Sequence, residues 1–150
     1  MTRKLERILI AVDETPSSTT AIEQGLALAA DEGAHVVFAH VVSIVGEQFV
    51  PGDGKPDRVP ERARTQVLID AAATAEAVGV SCTTELLVGY PPRQIALVAD
   101  DLDVNLIVVG SRHLSGVKRF LFGSTSRALL GETARPLLVV PETVLEPALT

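Results

Sequence analysis

Tryptophan is absent from this chain, and its 150 residues include one tyrosine and four phenylalanines. A core built with so few rings must be aliphatic. At 47% hydrophobic residues there is enough Val, Ile, Leu and Ala for a sizeable one, as suits a parallel sheet buried on both faces. Cys82 is the single cysteine, so no internal disulfide can form, and a reducing compartment is the natural reading. There is no excess of positive charge either. The formal net charge is −6, which argues against nucleic acid as a partner, because a phosphate backbone demands a basic face. No apolar run is long enough to span a membrane, and Met1 to Arg7 leads into the first apolar run without a signal-type hydrophobic region. The expectation is one soluble cytoplasmic domain over residues 1–150.

What is present is a regular alternation. Apolar, β-branched runs at residues 7–13, 35–42, 81–88, 106–109 and 137–140 read as strands. Between them lie helical patterns. Thr15 and Pro16 open the first as cap and first helical residue, Ala21, Ile22, Gly25, Leu28 and Ala29 mark its buried face, and Gly33 ends it. The second runs from Glu61 to Val78, the third follows Gly89-Tyr90-Pro91-Pro92 and ends near Asp103, and the fourth covers Arg127 to Ala134. The third strand carries Thr83, Thr84 and Glu85, so it belongs at a sheet edge. Residues 43–60 break the rhythm with three prolines and three glycines, and read as either a lid or a segment without order. Strands alternating with helices imply right-handed crossovers and a parallel sheet, whose ligands bind beyond the carboxyl ends of the strands.

The most informative stretch is 105–136. The run Leu106 to Val109 stops at Gly110. A loop with Arg112, Lys118 and Arg119 follows, and then Gly123-Ser124-Thr125-Ser126 opens a helix. Glycines admit close backbone approach, and the first N–H groups of a helix lack internal partners. Those amides and the helix dipole favour an anion, usually phosphate. Arg112 is placed to neutralise its charge, and Ser124, Thr125 and Ser126 can serve as caps, as donors to phosphate, or both.

In these residues the stretch resembles the C-terminal signature of the universal stress protein family: glycine, two residues, glycine, nine residues, glycine, then serine or threonine. Gly110, Gly123 and Ser124 match it, and His113 stands where the second glycine is expected. Near the start, Val12-Asp13-x-x-Pro16-x-Ser18-x-x-Ala21 is similar to the family as well. The resemblance covers nearly the whole chain. It implies a Rossmann-like α/β sandwich, helices on both faces of a five-stranded parallel sheet of order 3-2-1-4-5, with a crevice between strands one and four. It further implies ATP, or ADP or AMP, in that crevice, with Mg²⁺ held through the phosphates. Val12 and Asp13 would meet the ribose or base, the main chain of Val41 the adenine, and Gly110, Arg112, His113 and residues 123–126 the phosphates. A homodimer through the fifth strand, a regulatory protein partner and a nucleotide-dependent role in the stress response follow from the same resemblance. The alternative is a nucleotide-free, chaperone-like interaction protein whose site is altered at His113.

Other readings fail on particular residues. A Walker loop needs a second glycine before its Gly-Lys, and Lys55 is followed by Pro56. A receiver domain needs an acceptor Asp after its third strand, where Leu87-Val88-Gly89 stands. A flavin-binding loop after strand one would use Thr15 to Thr20, but lacks its glycine and rings to sandwich the flavin. No nucleophile and base pair or metal cluster is evident, so at most slow ATP hydrolysis is expected. His40 reads as a satisfied strand histidine, and Asp13 could simply brace the turn into the first helix.

Overall fold

A computed structural model describes residues 4–43, 54–59, 65–111 and 124–142, with the backbone alone at Ser124 and Thr125. Its elements are β1 (Arg7–Ala11), α1 (Pro16–Glu32), β2 (His35–Val42), α2 (Gln66–Ala77), β3 (Cys82–Val88), α3 (Pro91–Asp101), β4 (Leu106–Ser111), α4 (Ser124–Glu132) and β5 (Leu137–Pro141). The strands form one sheet of order β3-β2-β1-β4-β5, parallel throughout.

The aliphatic runs follow from this placement. Ile8, Leu9 and Ile10 of β1 are each fully buried, because successive side chains enter opposite cores. On one face Ile8, Ile10, Val36 and Phe38 pack with Ala21, Leu26 and Ala29 of α1 and Leu68, Ala71 and Ala75 of α2. On the other, Leu9, Ala39, Ile107 and Val109 pack with Ile95, Val98 and Ala99 of α3 and Leu129 of α4. Pro16 begins α1, where its missing N–H is no loss, and Gly33 closes it in the left-handed conformation, φ 67°. Gly25 lets α1 sit close on the sheet. A Cβ there would lie 2.4 Å from Ile10 Cδ1.

Some boundaries differ from those expected. β4 continues past Val109 through Gly110 and Ser111, because these pair with Val140 and Pro141 of β5, and the N–H of Glu142 donates to the Ser111 carbonyl at 3.0 Å. The helix α4 starts at Ser124 and stops at Glu132, so the serine-rich segment is its first turn. The described part of the second helix begins at Gln66, and residues 61–64 lie outside the described residues.

β3 is a terminal strand, as its polar residues suggest. Its outer edge is nonetheless partly covered by residues 54–59, the described part of the long connection. The N–H of Val59 donates to the Leu86 carbonyl at 2.8 Å and the N–H of Val88 to the Asp57 carbonyl at 3.0 Å, an antiparallel bridge of Arg58 with Leu87. Arg58 reaches Glu85 at 2.9 Å and Asp101 of α3 at 2.6 Å. These bonds to Asp101 and Glu85 raise the guanidinium's pKa further above its ordinary value.

Candidate functional site

The order of the sheet reverses between β1 and β4, and a crevice opens at their carboxyl ends, where a doubly wound sheet takes its ligands. A cavity of about 120 Å³ lies there, lined by Ala11, Val12 and Asp13 after β1, Ala39, His40 and Val41 of β2, and Val109 and Gly110 of β4. Ser17 and Ser18 of α1 and Pro91 and Ile95 of α3 complete the wall. Pockets that enclose a whole small ligand measure roughly 300–1,000 Å³; this one has room for one ring of a larger molecule. Alanine, valine, proline and isoleucine give that ring apolar surface, and the exposed Asp13 carboxylate supplies an acceptor at its edge.

Of the residues singled out in the sequence, Val12, Asp13, Val41 and Gly110 come together at this cavity. Ser126, in the first turn of α4, is 1% exposed. Ser124 and Thr125 are the first two residues of that helix. Arg112, His113 and Gly123 lie outside the described residues.

Asp13 does brace the turn. Its Oδ1 accepts from the N–H of Thr15 at 2.8 Å and from the Thr15 hydroxyl, while its own N–H donates to Ser18 Oγ at 3.0 Å. The carboxylate is thereby fixed against the start of α1, and Oδ2 accepts nothing from the described residues. Thr15 Oγ1 and Ser17 Oγ lie 2.9 Å apart. Sequence reasoning missed Ser17 and Ser18 as parts of the site. The signal was the hydroxyl-rich run after the first strand, read above as a helix start and, at Ser18, as part of the family-like run.

Gly110 has a reason the sequence did not reveal. A Cβ on it would stand 2.4 Å from the Ser17 carbonyl oxygen and 2.7 Å from its carbon. The first turn of α1 thus rests directly on the end of β4, and only glycine leaves it that space. Beyond it, Ser111 is 1% exposed, and its hydroxyl has no hydrogen-bond partner among the described residues. An unsatisfied buried hydroxyl costs about 1–3 kcal/mol, and this one follows directly on Gly110 of the cavity wall.

His40 is a satisfied strand histidine. Its Nδ1 lies 2.8 Å from the Val12 carbonyl, which can only accept, so that nitrogen carries the proton. The N–H of Val12 donates to the Ala39 carbonyl at 2.9 Å, so both polar groups of the Val12 residue are tied to β2. Nε2 is 3.7 Å from Glu14 Oε1, beyond hydrogen-bond length. Among the described residues no group of three His, Cys, Asp or Glu could hold a metal ion, and no helix is long and apolar enough to cross a membrane.

Five parallel strands with helices on both faces and a crevice at the switch point define a Rossmann-like α/β fold. The universal stress protein family model matches residues 4–141, and the chain belongs to that family. It is similar to the universal stress protein YxiE of Bacillus subtilis, 29% identical over 145 residues, covering 89% of this chain and 97% of that one. Its fold matches a universal stress protein of Archaeoglobus fulgidus in complex with dAMP, with a TM-score of 0.63, 22% identity and coverage of 92% and 99%. It also matches a family protein of Arabidopsis thaliana with AMP bound, with a TM-score of 0.67, 18% identity and coverage of 95% and 97%.

Proposed function

We propose that this protein binds an adenine nucleotide, ATP with Mg²⁺ carried on the phosphates, between β1 and β4, and that the bound state regulates a protein partner in the stress response. The observation that carries the reading is the cavity at the switch point, where Asp13, Val41 and Gly110 share one wall-to-wall space with apolar surface for a ring. Val12 and Asp13 serve the nucleoside, the Val41 main chain the base, and Gly110, Arg112, His113, Gly123 and Ser124 to Ser126 the phosphates. The nucleotides seen on two structural relatives support the ligand class. Residues 1–150 act as one cytoplasmic domain, and two copies pair through β5, a terminal strand with exposed Leu138.

The test is calorimetric titration of nucleotide-stripped protein with ATP and Mg²⁺, beside Gly123→Ala and His113→Gly. Binding by the parent that Gly123→Ala abolishes supports the crevice. Tighter binding as pH falls through about 6.5, where histidine gains charge, would bring His113 into the cradle. Binding recovered only in His113→Gly would favour the nucleotide-free alternative. No binding by any variant would overturn the nucleotide reading.

A further inference from the structure

Gln94 is 6% exposed and sits in the first turn of α3, between Pro91 and Ile95, which both line the cavity. It takes no part in the cavity wall. Its side chain turns the other way and grips the strap of residues 54–59. Gln94 Oε1 accepts from the N–H of Asp57 at 2.8 Å, and Gln94 Nε2 donates to Asp57 Oδ2 at 3.1 Å. Both ends of one buried amide are thus spent on a single residue of the strap. Room for it comes from Gly89, at φ 135°, where a Cβ would lie 3.2 Å from Gln94 Nε2. The strap is in turn held on β3 by the Val59 and Val88 amides, and tied to the far end of α3 by Arg58 and Asp101.

We infer that Gln94 is a positioning residue for the nucleotide site, and that the docked strap holds the α3 wall of the cavity in its binding position. The inference rests on the nucleotide reading above and adds a coupling to it. A ligand that presses on Pro91 and Ile95 favours the placement of α3 that Gln94 shares with Asp57, so occupancy and strap docking stabilise each other. Such linkage is reciprocal: whatever factor the ligand contributes to docking, docking contributes to affinity.

The experiment is hydrogen exchange at the amides of Asp57, Val59 and Val88 with and without saturating AMP, paired with AMP titration of Gln94→Ala and Arg58→Ala. Arg58 lies at the outer edge of β3, and its loss leaves the cavity lining untouched. Expected are slower exchange at all three amides on binding, and affinity lowered about fivefold or more in each variant. The factor lost in affinity should match the factor by which AMP slows exchange in the parent. AMP binding with unchanged exchange at these amides, or with parental affinity in a folded Arg58→Ala, overturns the coupling and leaves the nucleotide site standing. No binding of AMP, nor of ATP with Mg²⁺, by the parent overturns both.

Discussion

Replacing Gly110 by alanine tests whether the glycine that ends the apolar run of β4 is there for the helix above it. The new Cβ would meet backbone, with the Ser17 carbonyl oxygen at 2.4 Å. To restore an ordinary contact that carbonyl must retreat at least 0.6 Å, from 2.4 Å to beyond 3.0 Å, and it belongs to the buried Ser17 in the first turn of α1. Overpacking of this kind costs about 1–3 kcal/mol. Glycine to alanine at an unstrained φ returns about 0.4–1 kcal/mol by restricting the unfolded chain, and Gly110 is not among the positive-φ glycines. The balance is a loss of about 1–2 kcal/mol, or a Tm lower by about 2–8 °C for a chain of this length. Because the same turn fixes Asp13 through Ser18, nucleotide affinity should fall as well. With no tryptophan in the chain, urea and thermal unfolding are best followed by far-UV circular dichroism, with Gly131→Ala in α4 as control. A Cβ at Gly131 meets nothing within 4 Å, so that change should be neutral or stabilising, by up to ~1 kcal/mol. Equal stability of Gly110→Ala and the parent, with unchanged affinity, would refute the argument.

Three further outcomes follow from the packing and charge. Gly25→Ala gains about 1 kcal/mol of helix propensity but sets a Cβ 2.4 Å from Cδ1 of the fully buried Ile10; a net loss of up to about 2 kcal/mol is expected by urea denaturation, and a gain would show that Ile10 yields freely. Burial, and then the Arg7 charge, hold the His35 pKa below its ordinary 6.5. The unfolded chain therefore takes up this proton first as pH falls, so stability drops from about 6.5 downward and is flat above. His35→Gln should remove that part of the slope, and an identical slope in both proteins would exclude it. Leu138, 38% exposed on terminal strand β5, should be covered in a homodimer; Leu138→Glu is expected to elute as monomer in light-scattering chromatography where the parent is a dimer, and an unchanged mass would reject the β5 interface.

The periodic features were legible in the sequence because they are local. Buried strands announce themselves as β-branched runs, and Pro16 and Gly33 mark the ends of α1 through backbone chemistry that each carries alone. Asp13 and Gly110 stand out for the same reason, as residues at strand ends, and both line the cavity. What escaped depends on partners distant in sequence. β4 outruns Val109 because β5 offers Val140 and Pro141 to pair with. Residues 54–59 read as loop because Gly54 and Pro56 suppress any strand period, yet two backbone hydrogen bonds with β3 and the ties to Gln94 and Asp101 dock them. Ser17 and Ser18 looked like ordinary helix-start residues, and their part in the site appears only when α1 is laid against β4.

Strand order also governs when the crevice can exist. β1 meets β4 across a gap of 98 residues, sealed where Asn105 Oδ1 accepts from both the Glu6 and the Arg7 amides at 2.7 and 2.8 Å. During synthesis β1, β2 and β3 can assemble with their helices while β4 is still to come, since β1 pairs with β2 and β2 with β3. Until β4 docks, half of the ligand's wall is missing and the free edge of β1 lies open. Pairing of strands so distant in sequence is intrinsically slow, although its loop-closure cost grows only slowly with their separation. The crevice therefore exists only once β4 has docked on β1, and a ligand bound there would stabilise only molecules that have completed the step.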